Sequence, residues 1–426
     1  MATRLRKKWD TQSQGMSRRD RRSGFYFAYL ADPLVGWDLS LPADVAADIA
    51  DAESAVRSLN DAGVAHVSLE GLARFLLRAE SVGSSRIEGL ALASRRLAKA
   101  EAMIALGGDA GDRVAVEVLG NIAAMESAIE LATSTSRFDL DDLLTVHRTL
   151  MDRSTTPELG GIVRTRQNWI GGSSFNPCNA AFVPPPPEYL GDLLADLLEY
   201  VNGDDHSPLV QAAISHAQFE TLHPFGDGNG RTGRALIHVV LRRRGLAPGF
   251  VPPISLILAT WSDAYIAGLM SFRHLGEHDG QQRSDAAVDW LRMFATATLR
   301  SCLDAQRYCT KIDEIAVQWR TAVGRIRANS STDLLLSVLP GAPIVTVESA
   351  SSLIGRSKAR VADAVNTLAR AGVLRQRNVG RKRYRVFEAT DVLDLFTGLE
   401  RSLASATGDT LTHTPNRPVP HRPSPE

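Results

Sequence analysis

Apolar residues recur every three or four positions through most of the chain. The stretch PADVAADIADAESAVRSL (42–59) shows the spacing clearly, with Pro42 suited to a helical first turn. The same period predicts helices at about 68–88, 92–106, 113–134, 140–153, 187–203, 208–221 and 231–245, and a long one over about 284–315. One region breaks the pattern. GGIVRTRQNWIGGSSFNPCNAAFVPPPP (160–187) holds glycine pairs, a β-branched and aromatic run, and then four prolines. It reads as an extended hairpin or flap.

A second unit begins near residue 331. SSTDLLLSVL, TVESASSLIG and SKARVADAVNTLARAGVL read as three short helices. Ser357 is placed to cap the third and Gly372 to end it, with Val361, Val365 and Leu368 on its inner face. LRQRNVGRKRYRVF then reads as two strands around Gly380, which makes a winged helix-turn-helix pattern. Lys358, Arg360, Arg375, Arg377, Arg381, Lys382, Arg383 and Arg385 give residues 357–386 a basic face. Such a face fits DNA, and equally a protein-docking or dimer module.

Composition narrows the classes. The 426 residues are 44% hydrophobic, enough for more than one core, and Lys+Arg equals Asp+Glu at 48 each. No global field steers the chain to nucleic acid, so any such binding is local. Cys178, Cys302 and Cys309 are an odd, sparse set that fits a reducing, cytoplasmic compartment better than a disulfide scaffold. No stretch has the length of a membrane span, and the basic start MATRLRKKWDTQSQGMSRRDRRSG lacks an apolar segment of secretory type. Residues 1–24 are expected to be a disordered basic arm and 403–426, rich in Pro, Thr and Ser, a disordered tail.

The densest chemistry lies in LHPFGDGNGRTGR (222–234), between two predicted helices. Gly226, Gly228 and Gly230 allow sharp turns and close approach of a ligand. Free N–H groups at the start of the second helix make an anion site. Arg231 and Arg234, three apart, share a helical face and suit phosphate oxygens. Asp227 would oppose an anion unless Mg²⁺ lies between them. His223 can accept a proton near neutral pH. A polyphosphate, a metal and a base together point to phosphoryl or nucleotidyl transfer.

HPFGDGNGRTGR resembles the signature of Fic-domain proteins, H-P-F-x-(D/E)-G-N-G-R-x-x-R, at every specified position. The resemblance implies a mainly α fold: a helical core with a β-hairpin flap (110–275), an N-terminal helical region (25–109), connecting helices (276–330) and a winged helix (331–402). It implies AMP transfer from ATP to a Ser, Thr or Tyr hydroxyl of a protein, the chain itself included, with release of pyrophosphate. His223 would be the base and Asp227 the Mg²⁺ ligand. Gly228, Asn229 and Gly230 would cradle phosphates, with Phe225 and Gly226 beside them. Arg231 would hold phosphate and Arg234 the γ-phosphate, while Pro224 and Phe225 would fix the loop.

Three further segments acquire expectations from the resemblance. The flap would dock a target strand, with Ile170 and Gly171 at its tip. Trp261 and Tyr265, four apart, would wall the adenine pocket, unless they are simple packing. In SVGSSRIEGL, Ser84, Glu88 and Gly89 match an inhibitory motif whose glutamate occupies Arg234. Ser85 and Glu88 also form a capping-box pattern, and Gly89 could end a helix. Two other functions stay open: a DNA-binding transcriptional regulator with an ATP-sensing core, and a bifunctional enzyme that also removes AMP. A homodimer is a further expectation.

Overall fold

The computed structural model describes residues 2–10, 17, 20–63, 69–276, 281–377 and 385–403. In chain order these form β1 (Thr3–Trp9), β2 (Gly24–Leu30), α1 (Ala43–Gly63), α2 (Leu69–Ile87), α3 (Ser94–Ala105), α4 (Arg113–Ser134) and α5 (Leu140–Met151). Then come α6 (Leu190–Asn202), α7 (Pro208–Leu222), α8 (Asn229–Arg243), α9 (Ile254–Thr260), α10 (Ser262–Phe272) and α11 (Gln281–Val323). The last are α12 (Ser331–Val338), β3 (Ile344–Val345), α13 (Val347–Ile354), α14 (Lys358–Arg370), β4 (Arg375–Gln376), β5 (Phe387–Glu388) and α15 (Thr390–Leu403). The protein is mainly helical, as the 3.6-residue period predicts. No single described helix is long and apolar enough to cross a membrane.

The chain forms two compact units of interleaved sequence. One comprises Met1–Ser54, Ala123–Pro248 and Asp263–Leu299; the other comprises Ala55–Ile122, Gly249–Ser262 and Arg300–Glu426.

In the first unit α7 is the central rod. Every residue from Leu209 to Leu222 is buried, so neither face of α7 meets water. It packs against α8 on one side and α6 on another, and α5 lies against both α6 and α8. Trp290 of α11, itself fully buried, donates its indole N–H to the Ala213 carbonyl at 2.9 Å.

The basic N-terminus corrects the expectation of a disordered arm. Thr3–Trp9 pairs antiparallel with Gly24–Leu30, from Thr3↔Leu30 to Trp9↔Gly24. Arg4, Arg6 and Lys8 point to solvent while Leu5, Lys7 and Trp9 are partly covered. That period of two was hidden because cations occupy most positions. Trp9 stacks edge-on against Trp169 at 5.4 Å, and Tyr29 N–H bonds to the Val183 carbonyl at 2.9 Å.

Residues 160–187 are extended, but the hairpin is held by isolated bridges, Ile170↔Phe182 and Ser173↔Asn176, without a regular ladder. One short helical turn, Pro177–Asn179, interrupts it, and another, Pro157–Leu159, precedes it. The expected tip shifts outward. Ile170 is the bridging residue, and the chain reverses at Ser173–Asn176.

In the second unit α2 packs on α9. A Cβ on Gly83 would come within 2.6 Å of the Leu256 nitrogen, so only glycine lets the two backbones approach. The buried Glu80 carboxylate accepts from the Ser255 N–H at 2.7 Å and from its hydroxyl. Val82, Leu97, Ala115 and Val118 make a core among α2, α3 and α4. Helices α12, α13 and α14 pack together, and the three short strands form an antiparallel sheet in the order β3-β5-β4.

Three expectations need restating. The span 276–330 holds one helix, α11 of 43 residues, in place of several connecting helices. ISLILATWSDAYIAGL is two helices, α9 and α10, separated at Trp261 (φ −98°, ψ 40°), so Trp261 and Tyr265 do not share one helical face. The wing residues Arg381, Lys382 and Arg383, and the tail from 404, lie outside the described residues.

Candidate active site

The signature loop joins α7 to α8, and its geometry begins at His223. This residue caps α7 with a left-handed backbone, φ 46° and ψ 58°. A non-glycine residue there is strained by about 1–3 kcal/mol and must be held by its surroundings. The holders are visible. The His223 carbonyl accepts from Arg164 Nε at 2.8 Å and Asn168 Nδ2 at 3.2 Å. The imidazole Nδ1 lies 3.8 Å from Glu220 Oε2, and about a fifth of the side chain is exposed.

Arg164 is the tie between flap and loop. Besides His223 it bonds the carbonyls of Arg166, Pro185 and Leu222. Burial pulls its pKa down to about 10, still charged at neutral pH. Asn168 bonds the Phe225 carbonyl as well, at 3.1 Å.

Phe225 is fully buried and lies flat on the His147 ring, with centroids 3.7 Å apart and planes 3° apart. Gly161 N–H donates to His147 Nδ1 at 2.9 Å. The proton is therefore on Nε2, which donates to the Asp227 carbonyl at 3.0 Å. Burial lowers the His147 pKa to about 4, so the ring stays neutral and serves as a fixed strut under the loop.

The three loop glycines are not equivalent. Gly228 alone has a left-handed backbone, φ 75°, and a Cβ there would come within 3.0 Å of Met151 Sδ and 3.3 Å of His147 Nε2. Asn229 can serve the expected phosphate cradle only through its backbone. Its side chain is used up inside the loop: Oδ1 accepts from Phe225 N–H at 2.8 Å and Nδ2 donates to the Phe225 carbonyl at 2.9 Å. Its backbone N–H and that of Gly230 belong to the first turn of α8, where helical geometry gives no internal acceptor.

The two arginines of α8 are both buried, at 5% and 1% exposure. Arg231 Nη2 is 3.9 Å from Asp227 Oδ1, while its Nε and Nη1 have no hydrogen-bond partner among the described residues. A buried guanidinium with unmatched N–H groups is a costly arrangement unless an anion completes it. Arg234 Nη1 lies 3.5 Å from the Tyr265 hydroxyl, which bonds His216 Nε2 at 2.8 Å. Tyr265 is thus buried support for Arg234 and not an open aromatic wall. Trp261 is partly exposed.

Gly233 lies at an unspecified position of the signature, yet a Cβ there would meet the Phe219 ring at 2.8 Å and Glu220 Oε1 at 2.9 Å. It permits the close approach of α7 and α8 that aligns His223 with the arginines.

Asp227 keeps about half its side chain exposed. Among the described residues no group of three or more His, Cys, Asp and Glu gathers to hold a metal unaided. One exposed carboxylate beside an anion site fits a hard cation that takes its remaining ligands from phosphates and water.

The inhibitory segment sits at the end of α2. Ser84 and Ser85 are fully buried. Ser85 Oγ donates back to the Ser81 carbonyl at 2.9 Å and accepts from Asn121 Nδ2 at 3.0 Å. It is therefore inside the helix, and the capping-box alternative falls. Gly89, φ 82°, ends α2: Gly89 N–H bonds the Arg86 carbonyl and Leu90 N–H the Ser85 carbonyl, a Schellman closure. Glu88 is exposed in the turn this fixes.

Sequence reasoning found the loop but missed His147, Arg164, Asn168 and Gly233. The first three carry no local signal. The last was visible only as a second glycine inside a helical period.

Residues 137–241 match the Fic/DOC family model and residues 46–130 the Fic/DOC N-terminal model. A protein adenylyltransferase fic-1 of Caenorhabditis briggsae is 31% identical over 162 residues, 37% of this chain and 30% of that protein. A protein adenylyltransferase Fic of Culex quinquefasciatus is 33% identical over 204 residues, 46% of this chain and 37% of that protein. The aligned regions thus span about a third of those relatives. Among solved structures, a Fic family protein from Desulfovibrio desulfuricans aligns over 82% of this chain and 97% of its own, with 19% identity and a TM-score of 0.48.

Proposed function

Since the chain belongs to the Fic/DOC family, we propose that it is a protein adenylyltransferase, moving AMP from ATP to a side-chain hydroxyl of a protein. The observation that carries this reading is the Arg231 guanidinium, buried at the start of α8 with two nitrogens unmatched. It lies beside backbone N–H groups that favour anions and within reach of the Asp227 carboxylate.

Each residue then has a task. His223 takes the proton of the attacking hydroxyl, whose oxygen forms a bond to the α-phosphorus. The bond from that phosphorus to the bridging oxygen breaks, and pyrophosphate leaves with the electron pair. Arg231, Arg234 and the first-turn N–H groups of Asn229 and Gly230 hold the phosphates. Asp227 would hold Mg²⁺, which supplies charge neutralisation on the phosphate oxygens. The segment around Ile170 and Gly171 pairs with the target backbone, as an extended edge allows.

Glu88 is proposed to restrain transfer, with Ser84 and Gly89 setting its position at the end of α2. The intact mass of Glu88→Gly, incubated with ATP and Mg²⁺, should rise by one or more AMP, and His223→Ala in the same background should abolish the gain. Self-labelling of Glu88→Gly no faster than wild type would remove the restraint from this reading. AMP removal by the same glutamate is tested in parallel: AMP-bearing protein is stripped by wild type and not by Glu88→Gly.

The run α12 to β5 supports a winged helix, by its helix order and its β3-β5-β4 sheet. Its basic face is partly neutralised from within: Lys358 pairs with Glu348 at 2.6 Å and Arg377 with Glu388 at 3.1 Å. DNA contact would fall to Arg360, Arg375 and the wing.

A further inference from the structure

The outer face of the β1–β2 hairpin is not used by the loop chemistry. Pairing sets Arg4 opposite Tyr29, Arg6 opposite Phe27 and Lys8 opposite Phe25. Residues directly paired in an antiparallel ladder share a face. Three cations and three aromatic rings therefore stand on one side. Phe25 and Phe27 are 53% and 56% exposed, an unusual cost for two large rings on one short strand.

This face does not stand alone. Together with the outer flap segment and the end of α10 it borders a cleft of about 440 Å³. Arg4, Phe27, Phe182, Met270, Arg273 and Leu275 are among its walls, and no carboxylate among the described residues lines it. The bond from Tyr29 N–H to the Val183 carbonyl makes hairpin and flap one continuous surface. A polypeptide lying along the flap would run into this cleft.

Two anionic occupants suit a basic, aromatic surface, and the ring geometry chooses between them. Single-stranded nucleic acid stacks its bases on open ring faces. Here the Arg6 guanidinium lies 3.7 Å over Phe25, and that of Arg273 lies 3.5 Å over Phe182. Those faces are already covered. The stacked Arg6 guanidinium still presents in-plane N–H groups to a carboxylate, whereas Arg273 turns its own to Thr221, Met270 and Glu220. Lys8 is drawn to Asp10 at 3.0 Å, so Arg4 and Arg6 supply the outward charge. Met270 and Leu275, 45% and 41% exposed, offer an apolar floor for a single anchoring side chain.

We propose that this cleft docks an acidic segment of the target protein, bearing one large apolar residue, next to the stretch that lies along the flap. The target class rests on the transfer reading above; the binding surface does not.

The test uses the full chain and fluorescence anisotropy of a fluorescein-labelled peptide, Glu-Glu-Leu-Phe-Glu-Glu, without ATP. The peptide should bind, more weakly as salt rises, and affinity should drop roughly tenfold or more in Phe27→Ala and in Arg4→Glu. Both positions are exposed, so folding is not at stake, and circular dichroism verifies it. The same peptide with lysines for glutamates should not bind. Three results overturn the proposal: no binding of the acidic peptide up to roughly 1 mM, equal binding in Phe27→Ala, or tighter Phe27-dependent binding of an oligothymidylate. The last hands the surface to nucleic acid. His223→Ala should leave peptide affinity unchanged. Intact Phe27-dependent binding with no AMP transfer by any variant therefore counts against the transfer reading alone. Transfer without such binding counts against the docking alone.

Discussion

The signature loop and the flap lie side by side in one unit, and they are built on opposite plans. In the loop nearly every turn is fixed by a side chain reaching back to the backbone. Asn229 closes it on Phe225, Arg164 and Asn168 hold the His223 carbonyl, and His147 supports Asp227 from beneath. The flap has two isolated bridges and exposed Ile170 and Phe175 at 36% and 43%. Fixed geometry is what stabilisation of developing charge requires, because donors that are already placed need no reorganisation. An apolar-tipped segment with exposed side chains and few ladder bonds is what binding of varied extended peptides requires. The shared tie is Arg164, rooted in the flap and bonded to the loop.

That contrast is most sharply broken at the loop. Replacing His223 with Ala should lower transfer by roughly a hundredfold to ten-thousandfold, the usual worth of a positioned base, with ATP binding nearly unchanged. Calorimetric ATP titration beside a rate assay separates the two.

Next comes Asn229→Ala, which removes the partner of the buried Phe225 N–H and leaves the Phe225 carbonyl to Asn168. A loss of about 1–3 kcal/mol is expected in urea unfolding, with a fall in transfer rate as the loop relaxes. Gly233→Ala belongs to the same range, about 1–3 kcal/mol, because its methyl must displace the Phe219 ring and the Glu220 carboxylate. An unchanged midpoint for either would show the loop to be as pliable as the flap.

Acid sharpens the comparison from below. His216, wholly buried, bonds Tyr265 and lies near Arg234; burial, then the Arg234 charge, lower its pKa to about 3. The folded form binds this proton less readily than the unfolded form, so the contribution is complete above about pH 6.5 and is lost as pH falls toward 3. Between pH 7 and pH 5 the wild type should lose about 2 kcal/mol more than His216→Gln, by denaturant midpoints. The smallest effect belongs to the flap. Ile170→Ala should change stability by less than about 0.5 kcal/mol while raising KM for a protein target.

Much of this was legible beforehand, and unevenly so. The helical period located most helices of both units within a few residues. The loop could be read because its parts are adjacent: base, glycines, carboxylate and arginines fall within thirteen residues, 222–234. The supports could not be read. His147 and Arg164 look like ordinary helix and loop residues, and their partners are distant in sequence. The N-terminal strand was missed because a run of cations imitates an unstructured arm. Trp261 and Tyr265 were joined by spacing alone, and the break between α9 and α10 separated them.

By itself the order of residues determined which segments coil, where they stop, and which short stretch gathers glycines, a histidine, a carboxylate and two guanidinium groups, since these depend on period, caps and adjacency. Tertiary structure decided which arginine is left with unmatched N–H groups, which asparagine is consumed in closing its own loop, and which histidine is kept neutral. Those outcomes follow from burial and from partners brought together by folding, and burial has no local signature in the chain.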